Sequence, residues 1–320
     1  MADELVGVLL MAYGTPEHPD EVEPYLTHIR EHYTYIRDKR PSPEMVADLK
    51  ARYEAIGGRS PLLSVTRQQA EALKRRLNGG NDDGPYRVYV GMKHWHPFID
   101  EAVAQMAADG VRRGIGVALT AQYSRMSVGG YIHAAREAIK RAGVSMELDF
   151  VEHWHDRPRF LDALARRVVA ARERLPKDLQ EDVPVVFTAH SLPARILEWN
   201  DPYPRHMEET ARGVSERAGV RRWSVAWQSA GNTPVAWLEP ELPDVLEGLA
   251  KGGDRAVIVC PAGFVADHLE VLYDIDIEAQ KLAARLGMEL VRTESFNADD
   301  DLIGVLAELV RERAIEDVIR

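Results

Sequence analysis

One cysteine in the whole chain, Cys260, leaves no room for an intramolecular disulfide, a cysteine-rich zinc site or a four-cysteine iron–sulfur cluster. It lies in an apolar run and reads as an inert buried thiol. Basic blocks are missing too. With a net charge of −11 and no run of five or six cations, a nucleic-acid binder is disfavoured. No stretch approaches the roughly 18 apolar residues of a membrane span. The apolar start, Leu5–Ala12, follows Asp3 and Glu4, where a secretory signal carries positive charge, so a cytoplasmic protein is expected. Three signatures are also absent: the glycine fingerprint of dinucleotide binding, the phosphate-binding G-x-x-x-x-G-K-[ST] loop, and the G-x-S-x-G elbow of serine hydrolases.

What is present is a long alternation of apolar runs and amphipathic stretches. At 320 residues and 45% hydrophobic content, two domains of ordinary size are affordable. Strands are expected at 5–12, 87–92, 115–121 and 145–152, separated by helices near 20–30, 43–55, 64–77, 98–109 and 130–142. Ser42-Pro43-Glu44 is a helix start, with serine as cap and proline in the first turn. The second half repeats the plan, with strands at 183–188, 222–227, 256–260 and 288–293 and helices at 159–174, 204–218, 242–251 and 301–318. The fold class is therefore α/β with parallel sheets. The loop 229–240 reads equally as a lid or a packed crossover. Val8–Pro16 and Val185–Pro193 share a pattern, an apolar run, Ala, a ring side chain, two residues and Pro, 177 positions apart. A duplicated α/β unit would explain it, with Tyr13 and His190 at equivalent strand ends facing each other across an interdomain cleft.

After the strand at 256–260, a Pro-Ala-Gly turn leads into a helix carrying Glu270, Asp274 and Glu278. In an α-helix each of these acids sits about one turn above the last. No Lys or Arg occurs between Pro261 and Gln280 to relieve their repulsion. A solvated acidic face is the ordinary reading; a row of oxygen ligands for divalent cations or protons is the sharper one. His268, counted around the same helix, falls 200° from Glu270 and outside the row. Open α/β sheets bind ligands at the carboxyl ends of their strands. Tyr13, His94, His190 and Glu270 collect there. Each histidine alone is explained as a satisfied core residue, but an imidazole with a carboxylate can take up protons or hold a metal open to exchange.

Seven stretches, MAYGTP (11–16), RYEAIGGRSPL (52–62), GMKHWHPFIDEAV (91–103), FTAHSLP (187–193), DPYP (201–204), VAWQSAGNTPVAWLEP (225–240) and PAGFVADHLEVLYDIDIE (261–278), closely resemble the ferrochelatase family. The resemblance is nearest to its soluble Gram-positive type, which uses coproporphyrin III. It implies two similar Rossmann-like domains around an interdomain cleft: 1–152, rejoined by the C-terminal helix 301–320, and 153–300. It implies ferrous iron as substrate, inserted as two pyrrole protons leave, with no permanent cofactor and no iron–sulfur cluster. By the same resemblance His190 is the catalytic histidine, Glu270 its partner carboxylate, and Tyr13 the residue on the opposite porphyrin face. His190 is then proton acceptor or transient iron ligand; the first is preferred, with Tyr13 on the metal side. Asp274 and Glu278 match an outer site for a hydrated divalent ion such as Mg²⁺. Arg30, Arg52, Ser60 and Tyr131 fall at propionate-binding positions, and Lys93 and His94 at a pair near the cleft.

Four propionates on coproporphyrin need more cationic contacts than the two of protoporphyrin. Arg30, Arg37, Lys39, Arg40, Arg52 and Arg59 offer them, although 31–41 is longer than in the relatives. This polar segment is not the apolar lip of membrane-attached members, so no stable membrane insertion is expected. A monomer, with transient contact to neighbouring haem-pathway enzymes, is the default. The competing readings are a protoporphyrin IX ferrochelatase, a cobalt or sirohydrochlorin chelatase, and a non-catalytic haem or porphyrin carrier.

Overall fold

The computed structural model describes residues 5–81, 83–231 and 233–319. Asp3 and Glu4, Asp82 of the glycine-rich turn, Asn232 of the 229–240 loop and Arg320 lie outside them. Strands β1 (Val6–Ala12), β2 (Tyr86–Met92), β3 (Arg113–Ala118) and β4 (Glu147–Val151) form one parallel sheet in the order β2-β1-β3-β4. Strands β5 (Val185–His190), β6 (Trp223–Gln228), β7 (Ala256–Cys260) and β8 (Glu289–Arg292) form a second, β6-β5-β7-β8. The two orders are the same permutation, with β1 and β5 in equivalent inner positions. Val8–Met11 and Val185–Ala189 are buried throughout, as continuous apolar runs covered on both faces require.

Helices α1 (Val22–His32), α2 (Pro43–Ala55), α3 (Leu62–Leu77), α4 (Ile99–Ala108) and α5 (Val128–Ala142) belong to the first half. Ser42 caps α2 by accepting from Met45 N–H at 3.3 Å, as its sequence indicates. In the second half, α6 (Pro158–Glu173), α7 (Tyr203–Ala218) and α8 (Leu242–Lys251) flank the sheet. The helical run after β7 departs from expectation. A short α9 (Leu269–Leu272) passes into a π-helical segment, Asp274–Ala279, before α10 (Gln280–Arg285). Glu278 N–H reaches Tyr273 C=O at 2.9 Å, an i→i−5 bond, so the one-turn-per-four-residues arithmetic does not hold there. Val271, Ile275 and Ala279 still bury one side against β7 and α8.

The chain divides into two compact units. One comprises the residues up to Thr120, Arg125–His153 and those from Asn297 onward; the other comprises Ala121–Ser124 and Trp154–Phe296. The final helix α11 (Asp300–Ile319) packs on α3 within the first unit. In the second, the short excursion 121–124 is tied in by Gln122, which donates to Thr210 Oγ1 (3.1 Å) and Ala262 C=O (3.3 Å). No helix among the described residues is long and apolar enough to cross a membrane.

Candidate active site

His190 is the last residue of β5, and its neighbour across the ladder is Gln228 at the end of β6. The imidazole Nδ1 lies 3.1 Å from Glu270 Oε2. An ionised carboxylate only accepts, so Nδ1 carries the proton and Nε2 presents its lone pair. Burial pulls the imidazolium down, but the Glu270 carboxylate, their hydrogen bond and Asp274 outweigh it, and His190 titrates above its ordinary value. Burial would raise Glu270, yet His190 and then His268 hold it well below the usual carboxylate range.

The surroundings lock this pair. Tyr203 donates from its hydroxyl to His190 C=O at 2.9 Å and packs its ring against Trp227. Residues 236–240 lie back on the segment after β5: Ala194 N–H donates to Ala236 C=O and Leu238 N–H to Leu192 C=O. That stretch is a packed crossover. Trp237 meets His190 edge-on, with ring centres 6.4 Å apart. Gln228 Nε2 donates to the backbone carbonyl of Glu270 at 2.9 Å, and Ser229 donates to the Asp274 carboxylate from a left-handed backbone, φ 62°. The end of β6 and the residue after it thus hold Glu270 by its backbone and Asp274 by its carboxylate.

Two expectations change. His268 Nε2 is 3.5 Å from Glu270 Oε2, because His268 is extended (φ −158°) and the helix begins only after it, so helical counting does not apply. Its Nδ1–H donates to Ala266 C=O at 3.0 Å, turning Nε2 toward the carboxylate. Glu270 therefore sits between two imidazoles. Glu278, outermost in the row, is paired with Lys281 at 3.1 Å, just past the cation-free stretch. Asp276, which is not in the row, takes a bidentate grip from Arg292 at 2.7 and 2.9 Å.

In the first unit, Tyr13 follows β1 and stacks obliquely on His94, with ring centres 4.5 Å apart. Gly14 permits the turn: its φ is 101°, and a Cβ would stand 2.8 Å from Trp95 N. Tyr131, Ser60, Lys93 and His94 are buried there. Arg52 is half exposed and bonded to Asp48 at 2.9 Å. Arg30 donates to Asp38 C=O and Met45 Sδ, while Lys39 donates to the carbonyls of Arg30 and Tyr33. These two cations bind the segment after α1 back to that helix, so Lys39 is committed within the protein. Burial pushes the Cys260 thiol up to about 12, which keeps it inert.

Among the described residues, His155, His206 and Glu209 bring ligand atoms within 4.8 Å of one another. However, His206 Nδ1 accepts from Tyr123 N–H at 3.2 Å, so the neutral ring keeps its proton on Nε2 and has no lone pair left for an ion.

A model of the ferrochelatase family matches residues 5–314. The chain belongs to the ferrochelatase family. It is 40% identical over 318 residues to the coproporphyrin III ferrochelatase of Geobacillus kaustophilus, covering 99% of this chain and 98% of that one. It is 41% identical to the coproporphyrin III ferrochelatase of Bacillus subtilis, over 98% and 99% of the two chains. The ferrochelatase of Herpetosiphon aurantiacus is also 41% identical, over 95% and 97%. Among solved structures, SirB from Bacillus subtilis with Fe³⁺ superposes with a TM-score of 0.59 at 12% identity, covering 96% of this chain and 95% of that one, a likeness of fold. In this family setting Tyr203, His268, Gln228 and Ser229 are the residues that reading the chain left without roles. Each lay inside a quoted motif, but nothing in one dimension ties a tyrosine hydroxyl to a carbonyl 13 residues away.

Proposed function

We propose that this ferrochelatase-family enzyme inserts ferrous iron into coproporphyrin III, giving coprohaem and two protons. The contact between His190 and Glu270, at the root of a row continued by Asp274, carries the reading. With Nδ1–H given to Glu270, His190 Nε2 accepts a pyrrole proton; Glu270 holds the resulting imidazolium and passes the proton toward His268 or Asp274. Tyr13 is the ligand on the iron side. The porphyrin is bent by binding energy from its periphery, so that nitrogen lone pairs leave the ring plane. Arg30, Arg52, Ser60, Tyr131, Lys93 and His94 hold that periphery. Asp274 and Glu278 form an outer site for a hydrated divalent ion such as Mg²⁺, weakened at Glu278 by Lys281. The protein acts as a cytoplasmic monomer, in transient contact with neighbouring haem-pathway enzymes.

The test mixes protein, Fe²⁺ and either coproporphyrin III or protoporphyrin IX without oxygen and follows the Soret band. Faster metallation of coproporphyrin III is expected, and none with His190→Ala although porphyrin still binds. Failure with both porphyrins would remove the catalytic reading; equal rates would remove the substrate preference.

A further inference from the structure

The stretch 267–278 carries five acids, Asp267, Glu270, Asp274, Asp276 and Glu278, and no Lys or Arg. Such a run repels itself. A cation that answers it comes from outside the stretch, at the end of β8. The Arg292 side chain is only 15% exposed. Its Nε and Nη2 donate to the two carboxylate oxygens of Asp276 at 2.7 and 2.9 Å. Nη2 also lies 3.5 Å from Asp267 Oδ1. Nη1 donates to Thr293 C=O at 3.0 Å and to Ser295 Oγ at 3.2 Å. Ser295 completes the circuit by donating from Oγ to Asp267 Oδ1 at 2.7 Å.

Asp267 and Asp276 bracket the working residues. Asp267 comes just before His268, whose extended backbone carries it toward Glu270. Asp276 lies within the π-helical segment, two residues past Asp274. Gln228 and Ser229 hold this same stretch from β6. Strands β6 and β8 are the two outer strands of their sheet, so the stretch is gripped from both sides. A π-helical turn is rare and gathers at functional sites. A buried ion pair adds little net stability, because desolvation offsets the attraction. What a planar, bidentate fork supplies is direction as well as distance, which an ammonium does not.

We propose that Arg292 is a positioning residue for iron insertion. By joining Asp267 to Asp276 it fixes the stretch between them, keeping Glu270 against His190 and Asp274 in its place. The role rests on the reading of His190 and Glu270 above.

Arg292→Lys keeps the charge and loses the fork. Its kcat for iron insertion should fall about tenfold, as for a small misplacement of a reacting group. The KM for coproporphyrin III, and the Kd of the metal-free porphyrin read by fluorescence, should stay unchanged. Crossing this change with Glu270→Gln separates positioning from general support. With Glu270→Gln already present, Arg292→Lys should cost about twofold or less in kcat. An unchanged kcat, an equal loss in both backgrounds, or a porphyrin Kd that weakens with kcat would overturn the role and leave the enzymatic reading intact. If Glu270→Gln alone keeps the natural kcat, that reading falls and this role falls with it. Should Arg292→Lys fail to fold, Asp276→Asn releases the clamp from its other side. Its loss of kcat should likewise shrink in the Glu270→Gln background, and a loss that persists there would overturn the role.

Discussion

At the scale of single residues, the site is a balance of two opposed shifts. His190 titrates above its ordinary value and Glu270 below. The stabilisation from a raised histidine is complete below its unfolded pKa and fades as pH rises through the folded one; that from a depressed carboxylate is complete above its unfolded pKa and fades as pH falls. The pair therefore stabilises most between about pH 4.5 and 6.5, although both side chains are about one-third exposed (34% and 32%) and solvent screens part of it. The proposed proton transfer needs the opposite protonation, a neutral His190. kcat/KM should rise with pH through an inflection above 6.5. Glu270→Gln removes the larger of the two carboxylate influences that raise His190 and leaves burial opposed by Asp274 alone. The inflection should then move to lower pH, with a lower plateau; an unmoved inflection in the pH–rate profile would remove Glu270 as the tuning group. Burial also lowers the Lys93 ammonium, to about 8.

The decisive element is the helical run after β7. Its π-helical segment places Asp274, Asp276 and Glu278 differently from a regular helix, and each has a different partner: Ser229, Arg292 and Lys281. Asp274 alone is tied to the turn that also carries Gln228, beside His190. Asp274→Ala should raise the apparent KM for iron severalfold with a smaller loss of kcat, the pattern of mainly uniform binding removed. Glu278→Ala should do less, since Lys281 already neutralises that rung. Initial rates across an iron series separate the two; equal effects would remove the graded row. Position in the chain indicated that acids recur every fourth residue, but not that the backbone hydrogen-bond step widens beneath them. That widening depends on how Val271, Ile275 and Ala279 seat against the sheet, which is a packing property.

Across the whole molecule, two sheets with one strand permutation match the echo between Val8–Pro16 and Val185–Pro193. Tyr13 and His190 follow or end β1 and β5, the equivalent strands. The alternating run of elements was legible because parallel strands buried on both faces are continuous apolar runs. What it did not convey is the excursion of 121–124 into the second unit, where β3 ends at Ala118 instead of running to 121. Gln122 is fully buried and bonded to Thr210 and Ala262, so Gln122→Ala should destabilise the protein by about 1–3 kcal/mol. A chemical-denaturation midpoint equal to that of the natural chain would show that this tie is not needed.

The residue order alone determined the α/β class, the strand ends that carry Tyr13, His94, His190 and Glu270, and the family, because periodicity and motif spacing are properties of one dimension. Tertiary structure decided which groups touch. It set His268 against Glu270, gave Asp274 to Ser229, and used Lys39 inside the protein. Those outcomes depend on distances between residues far apart in the chain and on where a helix actually begins. No pattern of neighbours encodes either.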